Sequence, residues 1–126
     1  MTDEPIRVLL VDDEVGFLEV LTKRMGRRGF DMTAAPSGTD GIQVLRKADF
    51  DVAVLDLKLE DMDGIEVLTI FKKMVPEMPV IMLTGHGSEQ AASEGLAQGA
   101  FDYLLKPCDL DELIAKIQEA VDQNRE

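Results

Sequence analysis

Ile6-Arg7-Val8-Leu9-Leu10-Val11-Asp12-Asp13-Glu14 decides how the rest of the chain is read. A short apolar run ends abruptly in three acidic residues. Four similar runs occur further along: Asp31-Met32-Thr33-Ala34-Ala35, Val52-Ala53-Val54-Leu55, Val80-Ile81-Met82-Leu83 and Tyr103-Leu104-Leu105. Most are continuous rather than alternating. That is the pattern of strands covered on both faces, as in a parallel sheet. Helical patterns separate them. Glu14 to Arg28 carries Phe17, Leu18, Leu21 and Met25 on one side and stops at Gly29. Ser37 can cap a helix with Ile42 and Leu45. Gly64 to Met74 carries Ile65, Leu68 and Phe71, and Pro76 comes soon after it. Ser88 can cap a weaker, Ala-rich helix through Gln98 that Gly95 interrupts. Asp109 with Glu112 makes a box-like cap for a last helix burying Leu113, Ile117 and Val121. Five β-α units in a row predict an α/β, doubly wound fold. Right-handed crossovers then place helices on both faces of a five-stranded parallel sheet.

At 126 residues the chain has the size of one domain, and the reading is a single domain over 1–126 with no second, output domain. Its hydrophobic fraction of 45% suits a globular core rather than a disordered chain. With 13 basic and 25 acidic residues the net charge is −12, which argues against direct nucleic-acid contact and against an anionic membrane surface. The one dense basic cluster, Lys23, Arg24, Arg27 and Arg28, reads as a solvated helix end. Cys108 is the only cysteine, so no internal disulfide forms and a reducing, cytoplasmic setting is expected. The acidic start is no signal peptide, and no run reaches membrane-spanning length.

The chemistry lies in the residues at the carboxyl ends of the strands, all but the second, which ends at Pro36. The first ends in Asp12-Asp13-Glu14, the third in Asp56, the fourth in Thr84 and the fifth in Lys106-Pro107. Open α/β sheets bind ligands outside the carboxyl ends of their strands. Carboxylates gathered there repel by about 4 kcal/mol per pair at ~4 Å with an effective dielectric of ~20. They must protonate, pair or hold a cation. Lys106 supplies one positive charge and a divalent cation two more. The ligands on offer are hard oxygens, which select Mg²⁺ or Mn²⁺ over zinc. Thr84 can donate to a phosphoryl oxygen and Lys106 can pair with one. No glycine-rich nucleotide cradle is present, so the phosphoryl group arrives on a donor, and a carboxylate can take it as an acyl phosphate.

Val11-Asp12-Asp13-Glu14, Asp56-Leu57-Lys58-Leu59-Glu60-Asp61-Met62-Asp63-Gly64, Leu83-Thr84-Gly85 and Lys106-Pro107 together resemble response-regulator receiver domains of bacterial two-component signalling. The resemblance covers essentially the whole chain. It implies a flavodoxin-like sheet of order 2-1-3-4-5. It implies that Asp56 accepts a phosphoryl group from a sensor histidine kinase or a phosphotransfer protein. Asp13, Asp56 and the backbone carbonyl of Lys58 would then ligate Mg²⁺, with Asp12 helping through water. Thr84 and Lys106 would bind the phosphoryl oxygens, and Tyr103 holds the switch aromatic position. The face of the fourth helix, fifth strand and fifth helix would carry the output to a downstream protein or detached output domain, with a homodimer on activation as a family expectation. Such a chain is not a metabolic enzyme, because it catalyses only its own phosphorylation and dephosphorylation.

Glu60 stands where this family usually has proline. The loop after Asp56 is therefore expected to be less rigid, with an extra acidic group beside the site. Lys58 and His86, two residues beyond Asp56 and Thr84, occupy positions that tune phosphoryl lifetime in this family; a solvated lysine suits Lys58 equally, and an exposed loop histidine is the favoured reading of His86. Asp61-x-Asp63-Gly64 hints at a calcium loop, but Leu59 and Ile70 hold two of its ligand positions, which leaves a turn and a helix start. Two other function classes fit parts of the pattern. One is a pseudo-receiver, a constitutive interaction module that is never phosphorylated. The other is a Mg²⁺-dependent phosphohydrolase, which usually has a second Asp where Lys58 stands.

Overall fold

The strands form in the order the apolar runs predict, and the sheet then sorts their side chains. A computed structural model describes residues 4–85 and 89–125. The elements are β1 (Arg7–Val11), α1 (Val15–Arg27), β2 (Asp31–Ala35), α2 (Gly38–Lys47), β3 (Val52–Asp56), α3 (Gly64–Met74), β4 (Val80–Thr84), α4 (Glu89–Ala97), β5 (Asp102–Leu105) and α5 (Leu110–Asn124). All neighbouring strands are parallel, in the order β2-β1-β3-β4-β5. Among the described residues no helix is long and apolar enough to cross a membrane. His86, Gly87 and Ser88, the last expected from sequence to cap α4, lie outside the described residues.

Successive residues of a strand point to opposite faces. Val8 and Leu10 of β1, Val52 and Val54 of β3, and Ile81 and Leu83 of β4 join a core with Leu18, Leu21 and Met25 of α1 and Leu113, Ile117 and Val121 of α5. Leu9 and Val11, Ala53 and Leu55, and Val80 and Met82 join a second core with Leu45 of α2 and Val67, Leu68 and Phe71 of α3. Both faces are covered, so the three central strands must be apolar throughout their buried length. The edge strands β2 and β5 are only partly buried.

Helix ends obey the local sequence in most places. The Ser37 hydroxyl accepts from the Asp40 N–H at 3.0 Å, and Asp63 accepts from the Ile65 N–H at 2.9 Å. Gly29 takes φ +92°, and the Phe30 N–H returns to the Met25 carbonyl at 3.2 Å, closing the end of α1. The expected box at Asp109 does not form, because its side chain makes no capping hydrogen bond. Asp109 is exposed, so water can satisfy the first-turn N–H groups. Asp111 and Glu112 still place negative charge in that turn. The basic end of α1 is exposed as expected, and at its surface Arg28 reaches the exposed Asp111 at 3.1 Å.

Gly95 reads from sequence as an interruption of α4, but it is where that helix meets the sheet. A Cβ there would stand 2.1 Å from the Met82 sulfur. Ala92 and Gly95 are the buried residues of α4, so small side chains let the helix lie close but anchor it weakly. At Gly64 the obstacle is backbone, since a Cβ would fall 2.4 Å from the Leu57 Cα. Backbone cannot step aside as a side chain can. Gly64→Ala should therefore cost about 1–3 kcal/mol or more. Gly26→Ala, in α1 with open space around it, should gain roughly 0.5–1 kcal/mol. Urea unfolding midpoints of the two variants would check this opposite pair.

Candidate functional site

Parallel strands bring their carboxyl ends to one edge, and the polar residues sit there. Asp56 and Thr84 are the last residues of β3 and β4, one step further along than the apolar runs suggested. Asp56 pairs in register with Leu83, so Thr84 stands one residue beyond it on the neighbouring strand. Asp12 directly succeeds β1 and Lys106 directly succeeds β5, with a cis Lys106–Pro107 peptide bond beyond it. Asp12, Asp56 and Thr84 are the buried polar residues of the described chain, at 0%, 5% and 1% exposure.

One ammonium group joins the acids. Lys106 Nζ lies 2.5 Å from Asp12 Oδ2, 3.3 Å from Asp56 Oδ2 and 3.3 Å from Glu14 Oε1. It also lies 4.4 Å from the centre of the Phe17 ring, so a residue read as core touches the site as well. The Lys106 backbone N–H donates to the Thr84 carbonyl at 2.7 Å, which fixes the end of β5 against β4. Asp12 Oδ1 accepts from the Glu14 N–H at 2.9 Å and Asp56 Oδ1 from the Lys58 N–H at 3.1 Å. Asp12, Asp13 and Asp56 each bring a carboxylate oxygen within 4.8 Å of the others. The Thr84 hydroxyl oxygen is buried and finds no hydrogen-bond partner among the described residues.

Electrostatics reflect this crowding. Burial pushes the Asp56 carboxyl above its ordinary range, and the Asp12 charge pushes the same way. The Lys58 N–H and Lys106 oppose them without prevailing. Burial alone would lower the Lys106 pKa, but its hydrogen bond to Asp12 and the charges of Asp56 and Asp12 outweigh burial and raise it. The cluster holds more negative than positive charge. Its donor set is all oxygen, and a buried hydroxyl stands by with an unused hydrogen. Such a set fits a hard divalent cation together with an anionic, oxygen-rich group.

The other candidate residues lie around this cluster. The Lys58 and Glu60 side chains are exposed in the loop between β3 and α3. Tyr103 is half-buried on β5, opposite Met82, and packs against the second core. Cys108 is partly buried, and burial raises its thiol pKa. The loop after Asp56 makes contacts that the reading of Glu60 did not include. The Glu60 N–H donates to Asp13 Oδ2 at 2.9 Å. Asp61, read as a plain turn residue, accepts from the N–H groups of Gly38 and Thr39 at 3.0 and 2.9 Å and from the Thr39 hydroxyl at 2.8 Å. Those bonds hold the Asp61 carboxyl below its usual range. Nothing local to residue 61 pointed to the amino end of a helix more than 20 residues earlier.

Comparison with known proteins agrees with this geometry. The family model for the response regulator receiver domain matches residues 8–118. Transcriptional regulatory protein GlrR of Escherichia coli (strain K12) is 39% identical over 124 residues, 98% of this chain and 28% of that protein. DNA-binding transcriptional regulator NtrC of Proteus hauseri is 39% identical over 119 residues, 94% of this chain and 25% of that protein. This chain thus spans about a quarter of the length of either regulator. Among solved structures, a CheY-like response regulator receiver domain protein from Methanospirillum hungatei JF-1 superposes with a TM-score of 0.92 at 31% identity, covering 96% of this chain and 97% of that one. NtrX from Brucella abortus in complex with ADP superposes at 0.91 with 28% identity, covering 96% of this chain and 28% of that one.

The charge arrangement predicts opposite effects for two substitutions. Lys106→Met should destabilise the fold by about 3 kcal/mol, because Asp12 is left buried without its cation. Asp56→Asn should stabilise it at neutral pH. The folded Asp56 pKa is raised, so the ionised form carries a penalty that grows as pH rises from the unfolded value through the folded one. The gain from Asn should therefore fade as pH drops below the ordinary carboxylate range. Thermal unfolding of both variants, in chelator and across pH, would check the two signs.

Proposed function

Because the chain belongs to the response regulator receiver domain family, we propose that it is a phosphorylation-dependent signalling switch with Asp56 as the phosphoacceptor. The observation that carries this reading is the buried Asp56 carboxylate, within reach of Lys106 and beside Asp12 and Asp13, at the carboxyl edge of the sheet.

A carboxylate oxygen of Asp56 attacks phosphorus. The bond from phosphorus to the donor's histidine nitrogen breaks, and the histidine keeps that electron pair. The product is an acyl phosphate, which water later cleaves to restore the carboxylate. Lys106 leaves its place between the acids to pair with a phosphoryl oxygen, and the Thr84 hydroxyl donates its unused hydrogen to another. Asp12, Asp13, Asp56 and the Lys58 backbone carbonyl would hold Mg²⁺, or Mn²⁺, which when bound supplies positive charge against the phosphoryl oxygens. The chain acts only on itself in this scheme and turns over no separate metabolite. Lys58, Glu60 and His86 are the residues that would tune how long the phosphoryl group persists.

Phosphorylation turns one negative charge at Asp56 into nearly two, with new acceptor oxygens. Thr84 is drawn toward them, and Tyr103 can move into the space it leaves. The element best suited to respond is α4, which is shallowly anchored at Ala92 and Gly95. Leu96 and Leu105 already expose 41% and 42% of their surface on α4 and β5. The α4–β5–α5 face would thus carry the output, to a downstream protein, an output domain or a second copy. The upstream partner is a sensor histidine kinase or phosphotransfer protein in the cytoplasm. Nucleic acid, where the pathway reaches it, is contacted by an output domain rather than by this acidic domain.

The test is incubation with a small acyl-phosphate donor, with and without Mg²⁺, read by intact mass. A base-labile, Mg²⁺-dependent single phosphoryl adduct that is lost in Asp56→Asn is the expected result. No adduct in wild type would overturn the reading. Hydrogen exchange in the presence of a phosphoryl mimic should then change across α4 and β5. Unchanged protection there would move the output to another face.

A further inference from the structure

The loop between β3 and α3 makes a repeated contact with the acids. The Lys58 N–H donates to Asp56, and two residues later the Glu60 N–H donates to Asp13 at 2.9 Å, across 47 positions of sequence. Alternate N–H groups of one stretch therefore reach two neighbouring carboxylates. The stretch is itself held. Lys58 and Asp63 form an antiparallel bridge, and the Gly64 N–H donates to the Leu57 carbonyl at 3.2 Å. Asp61 is bound to the amino end of α2 through Gly38 and Thr39. Gly64 presses on Leu57 too closely for any side chain, which fixes the far end of the loop.

We propose that the backbone N–H of Glu60 is a positioning group for the cation site, orienting the Asp13 carboxylate before the metal arrives. This rests on the reading above that Asp13 is a ligand. Asp13 is only half-buried, so packing alone does not fix its rotamer. A charge-assisted hydrogen bond from a braced backbone does. With one oxygen engaged by Glu60, the carboxylate is kept aimed at the cluster with Asp12 and Asp56. Ordering that a cation would otherwise impose is already done. The group that acts is the amide, not the Glu60 side chain, which is exposed. Any residue except proline can supply it. The departure from the family's usual proline at this position thus adds a donor where it was expected to add slack.

The experiment titrates the whole chain with Mg²⁺ alone, by calorimetry, with no phosphoryl donor present. Glu60→Pro should bind Mg²⁺ about tenfold more weakly, as is typical when a ligand loses its outer hydrogen-bond partner. Glu60→Gln, which keeps the N–H, should bind close to wild type. Circular dichroism checks that the proline variant folds. An ester linkage at position 60 removes the N–H without a ring and should reproduce the loss. Wild-type affinity in Glu60→Pro or in the ester variant would overturn the proposal, as would an equal loss in Glu60→Gln. Asp13→Asn separates the two levels of the argument. A large loss there beside an unchanged Glu60→Pro overturns only the positioning role. Unchanged binding in Asp13→Asn overturns the ligand assignment as well.

Discussion

The fold is arranged around an electrostatic imbalance at one end of the sheet. Asp12 is fully buried, Asp56 nearly so, and both depend on one ammonium group delivered by the last strand. Placing carboxylates out of water is expensive unless they are paired and hydrogen-bonded. Each acid here is accordingly given a backbone N–H: Glu14 for Asp12, Glu60 for Asp13 and Lys58 for Asp56. The two apolar cores below the site hold the strands that carry these groups. Stability made in the sheet is partly given up at its edge, which is the usual trade between a rigid scaffold and a charged site.

Much of this was legible in sequence, and for a physical reason. A strand covered on both faces has no solvent side, so it must be apolar throughout. β1, β3 and β4 could therefore be read from their apolar runs as strands covered on both faces, while their central place in the sheet was implied only by the family resemblance. The same continuity made their ends conspicuous, because Asp12, Asp56 and Thr84 are the first polar residues after each run. β2 and β5, lying at the sheet edges, left weaker signals and are less buried.

The features that sequence did not show depend on contacts between distant residues or with solvent. Asp109 sits where a cap belongs, yet solvent exposure removes the need for its bond. Gly95 lowers helix propensity, which is all a local reading can see, while its role is to let α4 approach Met82. Phe17 has a helical-face position like its neighbours, and only the fold brings Lys106 onto its ring. The N–H of Glu60 has no sequence signature at all, since every residue but proline has one. The side-chain letter at position 60 pointed toward charge and slack, and said nothing of the hydrogen bond its backbone makes to Asp13.

The ion pair between Asp12 and Lys106 spans 94 positions of sequence. One member is made before most of the sheet exists, the other only after its last strand. A domain emerging from the ribosome makes β1, β3 and their acids well before the cation that reconciles them. Until β5 docks, those acids keep water or protons as company, and the sheet's far edge stays open. The complete charge cluster therefore arrives only with the last βα unit. A nascent or truncated domain ending before residue 106 has the buried Asp12 and Asp56 but lacks the lysine that pairs with both. The long reach of this one contact makes completion of the domain a precondition for balancing the charge at its site.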